Sequence, residues 1–221
     1  MNAPAWSYTI LTAFETCPRR YYLTRVSKEV KEPQSEHTVY GNEVHKAFEN
    51  RLKNKTLLPE HLAKHEGLCA KLETTPGQLF VEEKITLNAQ LKPTSWFAKD
   101  AWCRGIIDVC VDSGANVAVL DWKTGKPKPE SEQLKLFAAL IFETRLYVEK
   151  VSTGFVWLAH GKMDKEVFTR EQLPELWQEF LPRVRRLELA YQDDKWEAKP
   201  SGLCREWCPV GKALCVHCGK K

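Results

Sequence analysis

Two aspartates and a lysine near the middle of the chain have the types and the spacing for metal-dependent hydrolysis. Asp121 and Lys123 stand two positions apart at the end of an apolar run, so their side chains would share one face of a β-strand. If the preceding turn pairs Asp112 with Val117, Asp108 falls directly opposite Asp121. A slip of one residue would move Asp108 to the other face. The register of this hairpin therefore decides whether the two carboxylates meet.

Two facing carboxylates repel each other, and a hard divalent cation such as Mg²⁺ compensates that repulsion because it prefers oxygen ligands. Such an ion can polarise a phosphodiester, lower the pKa of a bound water and stabilise the leaving oxygen. Lys123 could orient or deprotonate that water, or neutralise charge that develops on the phosphate. The alternative is two ordinary acids beside a hairpin, with Lys123 as a salt-bridge partner. Against it, Asp121 follows the apolar run 117–120, and a carboxylate that ends a buried strand requires a partner.

Three other polar residues could join this group. Glu82 lies in the preceding predicted strand and would supply a third carboxylate, with Glu83 as the alternative on the other face. His45 lies in a predicted helix and could add an imidazole, although a single helix histidine is more often structural. Gln133 opens the helix after the hairpin and could reach the site or the phosphate; taken singly, it is typical of a surface residue.

The elements that must position these residues follow a mixed α/β order, which predicts one central sheet. Hydrophobic periodicity and turn residues predict helices over 7–26 (capped near Ser7 or Thr9 and broken near Pro18), 41–54, 57–74, 130–145 and 171–191. They predict strands over 79–88, 102–111, 117–123, 151–159 and 165–169. The segment 89–100 is predicted to be a loop, and the chain is irregular from about residue 195.

The chain has 221 residues, 43% hydrophobic and 28% charged, which indicates a soluble globular protein. We expect one domain over residues 1–221, with N-terminal helices over 1–75, a catalytic core over 76–192 and a Cys-rich segment over 193–221. No apolar run is long enough to span a bilayer, and the start of the chain lacks a signal-peptide pattern. We therefore expect a cytoplasmic protein with no membrane contact.

A formal net charge of +4 allows a nucleic acid as partner but does not require one. Basic residues cluster near both ends of the chain. They are Arg19, Arg20, Arg25, Lys28, Lys31, Arg183, Arg185 and Arg186. A face formed by these residues would suit a phosphate backbone, and the alternative is a solvated helix face.

Eight cysteines are present, and a chain without an export signal is not expected to oxidise them to disulfides, because the cytosol keeps thiols reduced. Cys204, Cys208, Cys215 and Cys218 all lie in the last eighteen residues. This clustering predicts a metal or cluster site. A zinc site formed by these four cysteines, or including His217, is one interpretation.

Seven segments, in order, resemble those of RecB-family exonucleases in the PD-(D/E)XK superfamily. They are SYTILTAFETCPRRYYL at 7–23, GNEVHKAFE at 41–49, VEEKITL at 81–87, GIIDV at 105–109, LDWKTGK at 120–126, QLKLFAAL at 133–140 and GLCREWCPV at 202–210. The chain is similar to phage and prophage members and to the nuclease domains of AddB and CRISPR-associated RecB-like proteins. The resemblance implies a restriction-endonuclease-like α/β core, with a central mixed sheet flanked by helices.

The resemblance also implies roles for the residues of the site. His45, Asp108 and Asp121 would bind a catalytic Mg²⁺ or Mn²⁺, with the backbone carbonyl of Trp122 as a possible further ligand. Lys123 would be the catalytic lysine.

Three further positions match the family's motifs. Glu82 matches the acid of the first strand, and Gln133 matches the glutamine of the helix motif. The family often has tyrosine four residues after that glutamine, where this chain has Phe137, so no hydroxyl group is available there.

The cysteines carry a second implication of the resemblance. In several relatives, one cysteine near the start and three near the end hold a [4Fe–4S] cluster that joins the two termini. By resemblance these ligands would be Cys17, Cys204, Cys208 and Cys215. The C-x3-C-x6-C spacing is looser than the usual C-x2-C-x5-C, and Cys218 adds a rival ligand. Zinc, or no metal at all, remains the alternative.

The function implied by the resemblance is a metal-dependent exonuclease that degrades DNA ends in recombination or repair, beside an annealing protein or a helicase. Its DNA would be double-stranded ends or single strands. A structure-specific endonuclease is a second interpretation. A non-catalytic DNA-binding module with a structural metal cluster is a third. The complete set of Asp108, Asp121 and Lys123 disfavours the third interpretation, because an inactive relative would be expected to have lost one of them.

Overall fold

A computed structural model describes residues 3–127 and 132–219 of the chain. The helices are α1 (Tyr8–Thr16), α2 (Pro18–Tyr21), α3 (Glu36–Asn54), α4 (Glu66–Thr74), α5 (Glu132–Thr144), α6 (Leu173–Asp193) and α7 (Leu203–Glu206). The strands are β1 (Gln78–Asn88), β2 (Ala101–Asp112), β3 (Asn116–Lys123), β4 (Lys150–Trp157) and β5 (Lys162–Thr169). A π-helical turn covers Tyr22–Val26, and 3₁₀ turns cover Glu60–His65 and Arg170–Gln172.

The five strands form one mixed sheet in the order β1-β2-β3-β4-β5. Strands β3 and β4 are parallel and are connected through α5, whereas the other neighbouring pairs are antiparallel. A parallel pair requires such a crossover, while antiparallel strands can be joined by a short turn. The predicted α/β class, with a central mixed sheet flanked by helices, is confirmed.

The chain divides into two compact units. Residues Ser35–Gln178 form the central unit, which contains the whole sheet, and Met1–Gln34 with Glu179–Lys221 form the terminal unit. The expected single domain over 1–221, with its three segments, stays a prediction.

Helices α3 and α4 cover one face of the sheet in the central unit. Val44 and Phe48 of α3 lie in one buried cluster with Val109 and Val111 of β2 and with Trp122 of β3. Residues of α4 complete this cluster. Burial of these apolar side chains stabilises the contact between the helices and the strands that carry Asp108 and Asp121.

Helix α5 covers the opposite face. A Cβ at Gly105 of β2 would lie 2.4 Å from Leu140 Cδ1, so the absence of a side chain at Gly105 lets α5 approach the strand closely. Further along β2, Asp112 contacts Arg145, which directly follows α5. Asp112 and Val111 are neighbours on an extended strand and therefore point to opposite faces. Helices α3 and α5 thus lie on opposite sides of the sheet.

The first helical segment agrees with its prediction at two points. Ser7 caps α1, since its Oγ accepts a hydrogen bond from the backbone N–H of Ile10 at 3.3 Å. Pro18 begins α2, which is the helix position where a missing N–H is tolerated. The predicted cap and the predicted break are confirmed, while the π-helical turn over Tyr22–Val26 was not predicted.

Helix α3 begins five residues before the predicted 41–54, at Glu36. Ser35 caps it by accepting a hydrogen bond from Thr38 N–H at 3.2 Å. Residues 36–40 are exposed, so they carry no apolar periodicity that could have revealed the first turn. Residues 130 and 131 of the predicted helix 130–145 lie outside the described residues.

No helix in the part of the chain that the structure describes is long and apolar enough to cross a membrane.

A buried arginine ties α5 to the strands. Arg145 is 8% exposed, and its guanidinium donates to both carboxylate oxygens of Glu83 at 2.7 and 2.9 Å. Its Nε lies 3.0 Å from Asp112, which also accepts a hydrogen bond from the Tyr147 hydroxyl at 2.6 Å. These contacts neutralise two carboxylates on the α5 face of the sheet.

We predict that Arg145→Ala lowers the free energy of unfolding by about 3–5 kcal/mol, because it leaves the Glu83 and Asp112 carboxylates without their cation. Urea denaturation followed by circular dichroism measures this loss. Lys53→Ala is the control, since Lys53 makes an exposed pair with Glu49 and should cost less than about 0.5 kcal/mol. Equal losses in the two variants would contradict the assignment of Arg145 as a structural cation.

Candidate active site

The register of the β2–β3 hairpin brings the two aspartates to the same level of the sheet. Asp112 pairs with Val117, as the turn residues predicted, and the ladder continues to Val109 and Leu120. The ladder ends there, and Asp108 and Asp121 are the next residues beyond it on β2 and on β3.

Asp108 connects three elements at this point. It is buried, and its Oδ1 lies 3.1 Å from Nδ1 of His45 on α3. Its Oδ2 accepts a hydrogen bond from the backbone N–H of Trp122 on β3 at 2.8 Å. The Trp122 indole lies against Phe48, with ring centroids 4.4 Å apart, and this contact fixes α3 over the strand. The packing of α3 therefore sets the position of the histidine.

Glu82 completes the group from β1. Its neighbours pair with β2 as Val81–Val109 and Glu83–Ile107, which leaves Glu82 at the level of Asp108. Glu82 itself has a φ of 51°, in the left-handed region that residues other than glycine rarely adopt. Such strain persists only where surrounding structure holds it, and it is concentrated at functional sites.

Glu82 and Glu83 are adjacent on β1, but their side chains contact different groups. Glu83 points to the α5 face and binds Arg145, while the ligand atoms of His45, Glu82 and Asp108 all lie within 4.8 Å of one another. This is the one such group among the described His, Cys, Asp and Glu side chains.

The donor set of these three residues fits a divalent cation. Two carboxylates and one imidazole supply oxygen and nitrogen ligands, as Mg²⁺ or Mn²⁺ sites require. Burial and the nearby Asp108 carboxylate raise the pKa of Glu82. Burial alone would lower the pKa of His45, but the hydrogen bond and the charge of Asp108 outweigh burial and raise it. The site therefore holds more negative charge than its own residues neutralise.

Asp121, Lys123 and Gln133 form a second polar group beside the first. Lys123 Nζ lies 2.5 Å from Asp121 Oδ2 and donates to Gln133 Oε1 at 3.0 Å. The Gln133 amide nitrogen donates in turn to Asp121 Oδ1 at 3.2 Å. The lysine ammonium also lies 4.6 Å from the centroid of the Phe155 ring on β4. These contacts hold the ammonium in one place at the end of β3.

The environment of Asp121 disfavours its charged form. Burial, followed by the charge of Asp108, raises the pKa of Asp121 to about 6, although Lys123 opposes this shift. A buried carboxylate beside another carboxylate behaves in this way unless more positive charge reaches it. An added cation would relieve the repulsion between the two aspartates.

The predicted site residues are thus brought together, with one difference in grouping. His45, Glu82 and Asp108 form the compact group, whereas Asp121 lies outside it and contacts Lys123 and Gln133. Trp122 contributes its backbone N–H to Asp108, and the role of its carbonyl as a ligand stays a prediction.

Two features of the site were not anticipated. One is the ring of Phe155 beneath Lys123, which depends on the parallel pairing of Asp121 with Phe155. The other is the left-handed backbone at Glu82. A pairing between strands separated by a helix leaves no signal in the local sequence, and neither does strain at a non-glycine residue.

The predicted cysteine ligands meet in the terminal unit. All eight cysteines are free thiols, and five of them line one cavity: Cys17, Cys204, Cys208, Cys215 and Cys218. His217 lines the same cavity. The four predicted cluster ligands and the alternative ligand Cys218 therefore line the same cavity.

Two of these sulfurs accept backbone hydrogen bonds. Lys199 N–H donates to Cys17 Sγ, and Ser201 N–H donates to Cys204 Sγ, both at 3.4 Å. Tetrahedral zinc with Zn–S bonds of 2.3 Å would hold its sulfurs about 3.8 Å apart. Burial, followed by hydrogen bonds with Cys208 and Cys215, raises the pKa of the Cys218 thiol. These three thiols therefore lie close together, and zinc stays an alternative to the cluster.

Comparison with known proteins gives a family match over most of the chain. A family model described as the PD-(D/E)XK nuclease superfamily matches residues 5–215. No curated protein matches the sequence.

A solved structure shares the fold at low sequence identity, and a second structure is less similar. A Eubacterium rectale protein, provisionally named an exonuclease, is 13% identical with a TM-score of 0.55, over 92% of this chain and 86% of its own. The protein SSO0001 is 12% identical with a TM-score of 0.46, over 98% of this chain and 88% of its own. At this identity the first likeness indicates the fold alone.

We predict that metal binding at this site weakens as the pH falls. The raised pKa values of Glu82, Asp121 and His45 mean that all three hold protons to a higher pH than usual, and a cation must displace those protons. The affinity for Mn²⁺ should fall roughly tenfold per pH unit below about pH 6. Isothermal titration calorimetry between about pH 7.5 and 5 measures this change. An affinity that stays constant over the range would contradict the assignment.

Proposed function

The chain belongs to the PD-(D/E)XK nuclease superfamily, and on that premise we propose that it is a metal-dependent DNA exonuclease. It would hydrolyse phosphodiester bonds at DNA ends, in recombination or repair. The observation that carries this proposal is the convergence of His45, Glu82 and Asp108 within 4.8 Å, beside the ion pair of Asp121 and Lys123.

The metal ion would be bound by side chains from α3, β1 and β2. His45, Glu82 and Asp108 would hold Mg²⁺ or Mn²⁺, with Asp121 and the Trp122 carbonyl as further ligands. When bound, such an ion polarises the phosphodiester and lowers the pKa of the attacking water. The protein supplies the geometry, because α3 fixes the histidine and the hairpin register fixes the aspartates.

Lys123 would act on the phosphate through its charge. Its ammonium is held by Asp121, Gln133 and the Phe155 ring, so little reorganisation is needed when negative charge develops on the phosphate. Gln133 would position this ammonium. Since Gln133 contacts both Lys123 and Asp121, its loss would disturb both partners.

The exonuclease activity rests on the resemblance to RecB-family enzymes, including phage and AddB-type members. The fold shared with the Eubacterium rectale protein supports the same activity only through that protein's name. A cytoplasmic location and a partner such as an annealing protein or a helicase belong to this proposal. A structure-specific endonuclease would cut closed circular DNA that contains a junction, which an exonuclease leaves intact because it has no end.

A [4Fe–4S] cluster held by Cys17, Cys204, Cys208 and Cys215 belongs to the proposal as well. It is supported by the shared cavity and by the backbone hydrogen bonds to two of the sulfurs. The cluster would link the start of the chain to its end inside the terminal unit, which has few other elements to fix its last residues.

We predict that Lys123→Met lowers cleavage of linear DNA in Mg²⁺ about 100-fold or more, because it removes the charge aimed at the phosphate. Gel assays on linear DNA labelled at the 5′ or 3′ end, and on circular DNA, measure rate, polarity and mode. Lys162→Met, an exposed lysine on β5, is the control and should keep wild-type activity. Wild-type rates in Lys123→Met would refute the mechanism, and cutting of circular DNA would favour the endonuclease.

We predict that protein purified without oxygen contains about four iron atoms and four sulfides per chain and is brown. Cys17→Ala should lose this iron, whereas Cys69→Ala, which removes a buried cysteine of the central unit, should keep it. Iron and zinc analysis of both variants tests the assignment. Zinc in place of iron in the wild-type protein would show that the cluster proposal is wrong.

A further inference from the structure

The loop between β1 and β2 exposes two aromatic side chains in a basic setting. Phe97 is 87% exposed, and Trp96 beside it is half-buried. The Trp96 ring lies between two cations, with Lys84 Nζ 5.4 Å and the Arg104 guanidinium carbon 5.3 Å from its centroid. We call Lys84, Trp96, Phe97 and Arg104 the aromatic hairpin.

The backbone holds this loop in a defined shape. Thr94 N–H donates to the Thr86 carbonyl at 3.0 Å, and Pro93 bridges to Leu87, so the loop folds back along β1. Asp100 accepts hydrogen bonds from Thr94 Oγ1 at 3.0 Å and from Asn88 at 3.3 Å. The rings are therefore presented on a structured turn, and the nearby acid is already engaged.

The aromatic hairpin lies on the metal-binding side of the sheet. Gly105 faces α5, so its neighbours Arg104 and Ile106 point to the other face. On that same face, His45 of α3 contacts Asp108. Ile106 is 41% exposed and pairs with Lys84, so this part of the face is open to solvent.

The separation along the strands is short. Lys84 stands two positions from Glu82, and Ile106 stands two positions from Asp108. Two residues of a strand span about 7 Å, which equals about two nucleotide steps of B-form DNA. A DNA strand whose phosphate lies at the metal group would thus reach the aromatic hairpin within a few nucleotides.

We propose that the aromatic hairpin binds unpaired nucleotides of the DNA strand next to the one being cut, so that the substrate is DNA with a single-stranded end. The inference rests on the proposed function and specifies its substrate class. Phe97 and Trp96 offer faces on which bases stack whatever their sequence. Lys84 and Arg104 supply positive charge for the phosphates between those bases. Arg104 is half-buried beside the Trp96 ring, so its charge stays close to the surface on which the bases would stack.

The test measures binding apart from cleavage. Fluorescence anisotropy with a labelled single-stranded oligonucleotide and with a blunt duplex is recorded in EDTA, where the metal-dependent reaction cannot proceed. Phe97→Ala should weaken single-strand binding about five- to a hundredfold and leave duplex binding within about twofold. The side chain is almost fully exposed, so the variant should fold, which thermal unfolding verifies.

Two variants serve as controls for this measurement. Leu146→Ala removes another exposed apolar side chain of the central unit, 77% exposed, and should bind single strands like the wild type. Lys162→Met, which removes the exposed lysine of β5, should also bind them like the wild type. A second loss in Trp96→Ala would support the aromatic hairpin as one surface.

The outcomes separate this inference from the proposed function. Single-strand binding that Phe97→Ala leaves unchanged, or a wild-type protein that binds only duplex, would overturn the inference. Retained single-strand binding that depends on Phe97, in a wild-type protein without nuclease activity, would support the inference and refute the proposed function. A Phe97→Ala variant that loses only the capture of another protein would assign the surface to a protein partner and overturn the inference.

Discussion

Repulsion between buried carboxylates is the constraint on which this structure depends. Glu82, Asp108 and Asp121 come from three neighbouring strands and lie close to one level of the sheet. The two aspartates are buried, so water screens their charges poorly. The protein supplies one ammonium, from Lys123, and one imidazole, from His45. Burial, followed by the charge of Asp108, raises the pKa of Asp121, and a further positive charge nearby would lower it.

The carboxylates of the central unit fall into two groups, one that stabilises the fold and one that belongs to the candidate site. Glu83 and Asp112 are neutralised by Arg145 on the α5 face, whereas Glu82 turns to the α3 face through its left-handed backbone. Adjacent acids in one strand thus have different tasks. The free energy of binding a cation would offset the backbone strain at Glu82 and the repulsion between the neighbouring acids.

The arrangement also suggests how a polymer would be oriented at the site. The metal group, the open patch around Ile106 and the aromatic hairpin follow one another along the same face of β1 and β2. A strand of DNA lying along this face would meet charge first and stacking surfaces next. Glu82 and Asp108 lie on strands, which hold side chains more rigidly than loops do. This rigidity favours reproducible placement of a phosphate at the metal group.

The sequence by itself determined the elements and the register, because hydrophobic periodicity and turn residues act between near neighbours. It therefore revealed the hairpin that places Asp108 opposite Asp121, and the residues that resemble a nuclease family. Only the tertiary structure decided that Glu82 rather than Asp121 joins His45 and Asp108, and that Phe155 lies under the lysine. Those outcomes depend on a strained backbone angle and on a pairing across α5, and both are fixed by packing between segments far apart in the chain.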